Sequence, residues 1–392
     1  MVVIARDKVA EPLYAVVPYF NPWRWKSRVK HTERALKHFA DSGAVIYLVE
    51  IGFNRRDLVF ADSGLDGTVA NCGIHGEHKH KYIGLHTKDE LWLKENAINV
   101  GVQNLPYNWN QVCWLDSDVH FVRPNWVGEA IHKLQHGGTT DRAYLQMFSH
   151  ARDLGPNYEM LEENYPHANG VGFVHAWKEG IIQSSPNPII EADVRTIRKD
   201  IIQLEKDFRQ QKEDLEKADI SKLEKDITKL ERDFEYPPYG QQRVFPGLAW
   251  ACTHPAWDAT GGLFEAAIWG GGDWHMSHAL IEKTQGMMRN DLHRNYKKMV
   301  MQWYQRCRTH IRQNVLVMEG SILHHWHGKK TGRGYNAKHA LLAKVGFDPL
   351  RHLTKDSQGL FQLHDDRSNA YPQLRDMMRR IAKERNEDSI DI

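Results

Sequence analysis

From about residue 12 to residue 125 the chain alternates short, wholly apolar runs with amphipathic stretches. Leu13-Tyr14-Ala15-Val16-Val17 is apolar at every position and is closed by Pro18-Tyr19-Phe20-Asn21-Pro22, which predicts a strand buried on both faces. Arg28 to Asp41 follows, with Val29, Ala35, Leu36 and Phe39 as the apolar positions of a helix. Val45 to Ile51 reads as a second strand, Leu91 to Gln103 as a helix, and Gln111 to Leu115 as a short buried strand. Strand–helix alternation predicts an α/β fold whose parallel sheet binds ligands beyond the carboxyl ends of its strands. Pro18 to Asn21, Glu50, Asp116 and Asp118 all fall on that edge.

The period changes between Ile189 and Glu235. Val194, Ile197, Ile201, Leu204, Phe208, Gln211, Leu215 and Ala218 step by three and four between charged flanks, the spacing of a heptad seam. Ser221-x-x-Glu224 forms a capping box that restarts a helix with Leu223, Ile227, Leu230 and Phe234 on its apolar face. The expectation is a coiled-coil hairpin over residues 189–236, either an arm for a partner or an oligomer, or a self-packed cover for the domain. Gly247 to Ala251 suggests a strand returning to the core, and Asp273 opens a helix through Leu280. One catalytic domain is therefore expected over residues 1–188 and 237–365, interrupted by the hairpin and followed by a C-terminal helix or tail over 366–392.

Candidate chemistry begins where the run Cys113-Trp114-Leu115 stops on Asp116-Ser117-Asp118. In extended chain, residues i and i+2 share a side, so both carboxylates would face one way from the strand's end. Two hard oxygen donors there suit a divalent cation that also grips phosphates; the competing reading is a turn in which the aspartates bond local N–H groups. His324-His325-Trp326-His327-Gly328-Lys329-Lys330 is the second signal. If the segment is extended, His325 and His327 share a face; if it turns helically, His324 and His327 do. One imidazole could complete a carboxylate metal site, or the histidines could form a zinc site of their own. Lys329, Lys330 and Arg333 would neutralise a departing diphosphate. Trp269-Gly270-Gly271-Gly272-Asp273 is the third signal: the glycines admit a ligand close to the backbone, and Asp273 caps a helix or does chemistry.

Composition changes this picture little. A formal charge of +2 announces no polyanion partner, and thirteen Trp are read first as core filling. Four Cys without a C-x-x-C pair suggest reduced thiols in a cytoplasmic protein. No segment has the pattern of a secretion signal or the length of a membrane span.

Taken in order, Tyr19-Phe20-Asn21-Pro22, Lys94-Glu95-Asn96, Trp114-Leu115-Asp116-Ser117-Asp118, Pro246-Gly247-Leu248-Ala249-Trp250, Trp269-Gly270-Gly271-Gly272-Asp273 and the His-His-Trp-His-Gly run resemble a GT-A glycosyltransferase. The similarity is greatest to the bacterial and phage galactosyltransferase-like branch related to families two and seven, and it covers most of residues 12 to 365 outside the hairpin. It implies a Rossmann-like sheet and transfer from a UDP-sugar-like donor to a hydroxyl acceptor, with an N-terminal nucleotide-sugar part and a C-terminal acceptor and metal part. It further implies that Asp118 binds Mn2+ or Mg2+, that Asp116 binds the metal or the ribose, and that His327 is the C-terminal ligand, with His325 or His324 as substitutes. Pro18, Phe20, Asn21 and Glu50 would surround the nucleotide, and Lys94 would approach the diphosphate. Trp269, Gly271 and Gly272 would shape the sugar and acceptor site, and Asp273 would be the base of an inverting displacement. The chain departs from the pattern at Asp273-Trp274-His275, where related sequences often carry Asp-His-His.

Two other functions fit the residues. The basic, aromatic-bearing stretch from Arg289 to Arg312 could grip phosphates, making the acceptor a hydroxymethylated base of phage DNA in a host cytoplasm. Alternatively the chain binds a sugar nucleotide without catalysis and works through its coiled-coil arm.

Overall fold

The computed structural model describes residues 11–68, 78–161, 169–184, 243–328, 335–364 and 370–389. The predicted hairpin over 189–236, and Lys329, Lys330 and Arg333, lie outside the described residues. In chain order the first half contains β1 (Tyr14–Phe20), α1 (Lys26–Asp41), β2 (Val45–Phe53), β3 (Lys81–Thr87), α2 (Lys94–Gln103), β4 (Gln111–Leu115), β5 (Val119–Phe121), α3 (Trp126–His136), β6 (Tyr144–Gln146), β7 (His150–Asp153), β8 (Asn169–Gly172) and α4 (Phe173–Lys178). The second half contains β9 (Val244–Phe245), β10 (Ala249–Thr253), α5 (His254–Thr260), α6 (Gly272–Leu280), α7 (Arg294–Arg306), β11 (Val315–Val317), β12 (Ser321–His324), α8 (Tyr335–Lys344), α9 (Pro349–His352), β13 (Leu353–Lys355), β14 (Phe361–Leu363) and α10 (Ala370–Glu384).

The central sheet has seven strands in the order β11-β6-β10-β4-β1-β2-β3. Six run in one direction, and β10 alone is antiparallel, hydrogen-bonded between β4 and β6. The sheet is mostly parallel and helices flank it, an architecture consistent with the GT-A expectation. Alternation along the strands divides the core: Tyr14 and Val16 join Ala97 and Ile98 of α2 on one face, while Ala15 and Val17 join Ala35, Leu36 and Phe39 of α1 on the other. The apolar run at 13–17 therefore has no polar position because neither face meets water.

Several boundaries differ from the sequence reading: β1 continues through Pro18 to Phe20, β2 runs on to Phe53, β10 spans Ala249–Thr253 and α6 starts at Gly272. α1 starts two residues earlier, at Lys26, where the carboxylate of Asp388 accepts the N–H groups of Lys26 and Ser27 at 3.0 and 2.7 Å. α2 starts at Lys94 rather than Leu91, because Leu91 and Leu93 are already in the core and the Trp92 N–H bonds the Ile268 carbonyl at 2.8 Å.

A second, five-stranded sheet, in the order β5-β12-β7-β8-β9, lies beyond the end of β4. α7 occupies the middle of the basic stretch, but its Tyr296, Trp303 and Tyr304 are buried, so those rings fill the core rather than offering a base-stacking surface.

Candidate metal and donor site

β4 ends at Leu115 and β5 starts at Val119, so Asp116, Ser117 and Asp118 form the step from one sheet to the other. The Asp116 N–H still pairs with the Leu248 carbonyl at 2.9 Å, while the Asp118 carbonyl accepts the His325 N–H at 2.8 Å. Each aspartate is thus pinned to a different sheet. The turn at Ser117 and Asp118 breaks the extended geometry that would have aimed both carboxylates alike. Asp116 meets the Lys94 ammonium at 2.5 Å. Asp118 meets two imidazoles, with Oδ2 3.2 Å from His327 Nδ1 and Oδ1 3.7 Å from His324 Nε2.

One ligand atom from each of Asp118, His324 and His327 lies within 4.8 Å of the others, the grouping among the described residues that could hold a metal ion. The residues fit a divalent cation on two counts. Oδ1 of Asp118 is buried without a hydrogen-bond partner, a costly state for a carboxylate oxygen that a cation relieves. The second count is the support behind His324: its Nδ1 lies 2.6 Å from Asp153 Oδ1, and Asp153 Oδ2 accepts from Arg243 at 2.7 Å. Such a carboxylate behind a histidine fixes its tautomer and raises the basicity of the nitrogen left facing the metal. Two imidazoles and a carboxylate suit first-row divalent ions. The histidine side chains are 6% and 7% exposed and that of Asp118 is 21% exposed, so the cluster opens to solvent past the carboxylate.

β12 ends at His324 and the chain turns, so His324 and His327 converge while His325 points elsewhere. The ring of His325 stacks on His31 at 5.2 Å and nearly parallel, its Nδ1 is unpartnered, and burial, with His31 beside it, pushes it down to about 4. Burial works to raise the Asp118 carboxyl, but His324, Arg28, His31 and Lys94 outweigh it and leave it below its ordinary value.

A second charged cluster adjoins the first. Lys94, Glu95, Trp114, Gly247, Gly272 and Asp273 line one narrow cavity. Burial acts to lower Lys94, yet Asp116, Asp273 and Glu95 together hold it above its ordinary value, so it stays an ammonium shared among three carboxyls. Burial raises Asp116, and pushes Glu95 up to about 8. One oxygen of Asp273 accepts the Trp274 N–H at 2.8 Å in the first turn of α6, and the other lies where a side chain on Gly247 would have to go. Glu95 fills the corresponding space over Gly272, which is why both positions need glycine.

The remaining predicted residues serve the walls. Pro18 and Phe20 belong to buried β1, and Phe20 packs edge-on against Trp92 at 5.0 Å. Asn21 closes a turn through Trp25, accepting its N–H and donating to its carbonyl, both at 2.9 Å. Glu50 is 2% exposed, and its oxygens accept from the N–H groups of Val59 and Phe60 and from the Tyr82 hydroxyl. It therefore holds the loop after β2. Trp269 is buried edge-on against Phe347 at 4.3 Å, and Gly271 adopts φ +89° with the His339 ring above it. Asp153, Arg243 and Glu95 escaped the sequence reading; only Glu95 carried a signal, the Lys94-Glu95-Asn96 motif.

No protein-family model matches the chain, and no curated protein does either. Among solved structures, a Drosophila beta-1,4-galactosyltransferase 7 mutant in complex with manganese, UDP-Gal and xylobiose aligns at a TM-score of 0.28 and 9% identity, over 79% of this chain and 65% of that one. The catalytic domain of the same Drosophila enzyme with xylobiose aligns at a TM-score of 0.27 and 9% identity, with the same coverage. The present chain thus spans just under two thirds of the length of these structures, and the likeness is too distant to bear on mechanism.

Proposed function

We propose that the protein is a divalent-metal-dependent glycosyltransferase that moves a sugar, a hexose or pentose, from a UDP-sugar-like donor to a hydroxyl acceptor with inversion. The observation that carries this reading is the convergence of Asp118, His324 and His327 within 4.8 Å, beside the Lys94–Asp116 pair and the cavity holding Asp273. The order of motifs in the sequence supports it independently. Asp118, His324 and His327 would hold Mn2+ or Mg2+, which when bound stabilises the charge of the departing diphosphate. The buried Lys94 ammonium adds a fixed positive charge in a water-poor site. Asp116 holds that ammonium in place and reaches the ribose or the metal.

Asp273 takes the proton of the acceptor hydroxyl. As it does so, a bond forms between the hydroxyl oxygen and the anomeric carbon, the bond from that carbon to the diphosphate breaks, and the diphosphate leaves with the electron pair. Gly272 makes room for Glu95 and Gly271 for the His339 ring beside the cavity where the sugar and acceptor would sit, and Lys329, Lys330 and Arg333, outside the described residues, would meet the diphosphate. The hairpin expected over residues 189–236, outside the described residues, would serve as an arm for a partner or second copy, or as a self-packed cover for the domain. Cys113, Cys252 and Cys307 are free thiols, in keeping with a cytoplasmic enzyme, and among the described residues no helix is long and apolar enough to cross a membrane.

The test is turnover of nucleotide sugars by purified protein with Mn2+, against saccharide acceptors and hydroxymethylated-base DNA. Chelation and Asp118→Ala should each abolish donor turnover. Turnover that survives both overturns the reading, and the acceptor that responds separates a saccharide enzyme from a DNA-modifying one.

A further inference from the structure

Glu95 lies in the first turn of α2 and is 6% exposed. Its carboxyl packs against Gly272, the first residue of α6, in the space that a side chain there would take. With Lys94 and Asp273 it faces a cavity of about 10 Å3, room for one water or one hydroxyl group. Much of the remaining wall is apolar, Ile98, Trp114 and Phe264 included.

The other two charged groups are engaged. The Lys94 ammonium meets Asp116, and Asp273 accepts the Trp274 N–H. The Glu95 carboxyl accepts from its own backbone N–H, and among the described residues no hydrogen bond or ion pair joins it to another residue. A polar group buried without a partner is costly. The apolar wall disfavours the charged form, so the carboxyl keeps its proton at neutral pH, in line with its value of about 8. A protonated carboxyl both donates and accepts, which matches a hydroxyl.

Position says whose hydroxyl. In a displacement the transferred sugar lies between the leaving group and the base. Lys94 and Asp116 mark the diphosphate side, and Asp273 marks the acceptor side. Glu95 stands between them: it follows Lys94 in α2 and packs against the residue that precedes Asp273.

We propose that Glu95 binds the donor sugar: from the wall between Lys94 and Asp273, its carboxyl hydrogen-bonds one hydroxyl of the sugar being transferred. This rests on the glycosyltransferase reading and deepens it, since Glu95 then selects among nucleotide sugars by a hydroxyl and not by the nucleotide.

The experiment measures by calorimetry, with Mn2+ present and thermal melts alongside, the affinity of the full chain for UDP, UDP-galactose, UDP-glucose and UDP-xylose. The readout is the affinity for the tightest-binding UDP-sugar relative to that for UDP. Glu95→Met, apolar and similar in size, should lower this ratio about tenfold, the worth of one buried hydrogen bond, and leave UDP affinity unchanged. Glu95→Gln keeps a neutral donor and acceptor in place and should keep most of the ratio. A ratio unchanged in Glu95→Met overturns the proposal. So does an equal loss for UDP and the UDP-sugar, which would mean that Glu95 only supports the fold of the site. A Glu95→Gln ratio as low as that of Glu95→Met overturns it too. If Glu95→Met does not fold, Gly272→Ala carries the comparison, because its methyl group displaces the Glu95 carboxyl. A selective loss of the UDP-sugar there supports the proposal, and an unchanged ratio overturns it. A wild type that binds UDP but no UDP-sugar overturns this role alone. A wild type that binds neither takes down the glycosyltransferase reading as well, before any variant is made.

Discussion

His324 Nδ1 and Asp153 Oδ1 lie 2.6 Å apart across the parallel pair β12 and β7, in which the two residues stand opposite each other. A carboxylate only accepts there, so Nδ1 is the donor, and Nε2 is the nitrogen that would face a bound cation beside Asp118. Asp153→Asn keeps the shape and removes the charge. It should weaken Mn2+ binding about 10- to 100-fold, measured by calorimetry. Unchanged affinity would show that His324 needs no help to be oriented.

Asp273→Asn separates chemistry from metal binding. Mn2+ affinity should stay at the wild-type value, since Asp273 lies in the neighbouring cavity and not among the three ligands. Donor transfer should fall by about 10²- to 10⁴-fold, the usual worth of a positioned base. Steady-state rates on a responsive acceptor decide it, and full activity would return Asp273 to its other role as a helix cap.

Glu95 ties stability to pH. Burial, opposed by Lys94 and reinforced by Asp273, pushes its carboxyl from 4.5 up to about 8. Because the folded value lies above the unfolded one, its contribution is complete below the unfolded value and is withdrawn as pH rises through the folded one. Wild-type stability should therefore fall between about pH 5 and about pH 8 by more than that of Glu95→Gln, which has no proton to lose. Urea midpoints at the two pH values give the answer; parallel declines would mean that Glu95 is ionised in the fold.

Gly328 has φ +85°, and a side chain there would strike the Arg385 carbonyl. Gly328→Ala should cost about 1–3 kcal/mol from backbone strain alone, and more if the Arg385 segment must shift. A thermal melt measures it. Mn2+ affinity should fall as well, because His327 is the preceding residue.

How much of this was legible depends on what set each feature. The β4 boundaries and the strand character of β1 and β2 could be read from residues 13–17, 45–51 and 111–115, because strands buried on both faces leave unbroken apolar runs. Asp118 and His327 were candidates because short motifs announce them, and the fold brings the two side chains together. The choice between His324 and His325 could not. It depends on where β12 stops, which its pairing with β5 and β7 decides, and those partners lie about 170 to 200 residues away in sequence. The split of Asp116 from Asp118 was hidden for the same reason: the residues form a step between two sheets, and nothing in a three-residue motif says that a second sheet begins there. Glu50 looked like a ligand for its place at a strand end, yet its oxygens are taken by the loop that follows.

The contact between Asp118 and His327 joins positions roughly 200 residues apart in sequence. Closing so long a loop is entropically slow, and contacts of that separation form after local helices and hairpins are in place. In a refolding experiment the helical signal should therefore recover before the capacity to bind a cation, which makes the site one of the last properties this chain acquires as it folds.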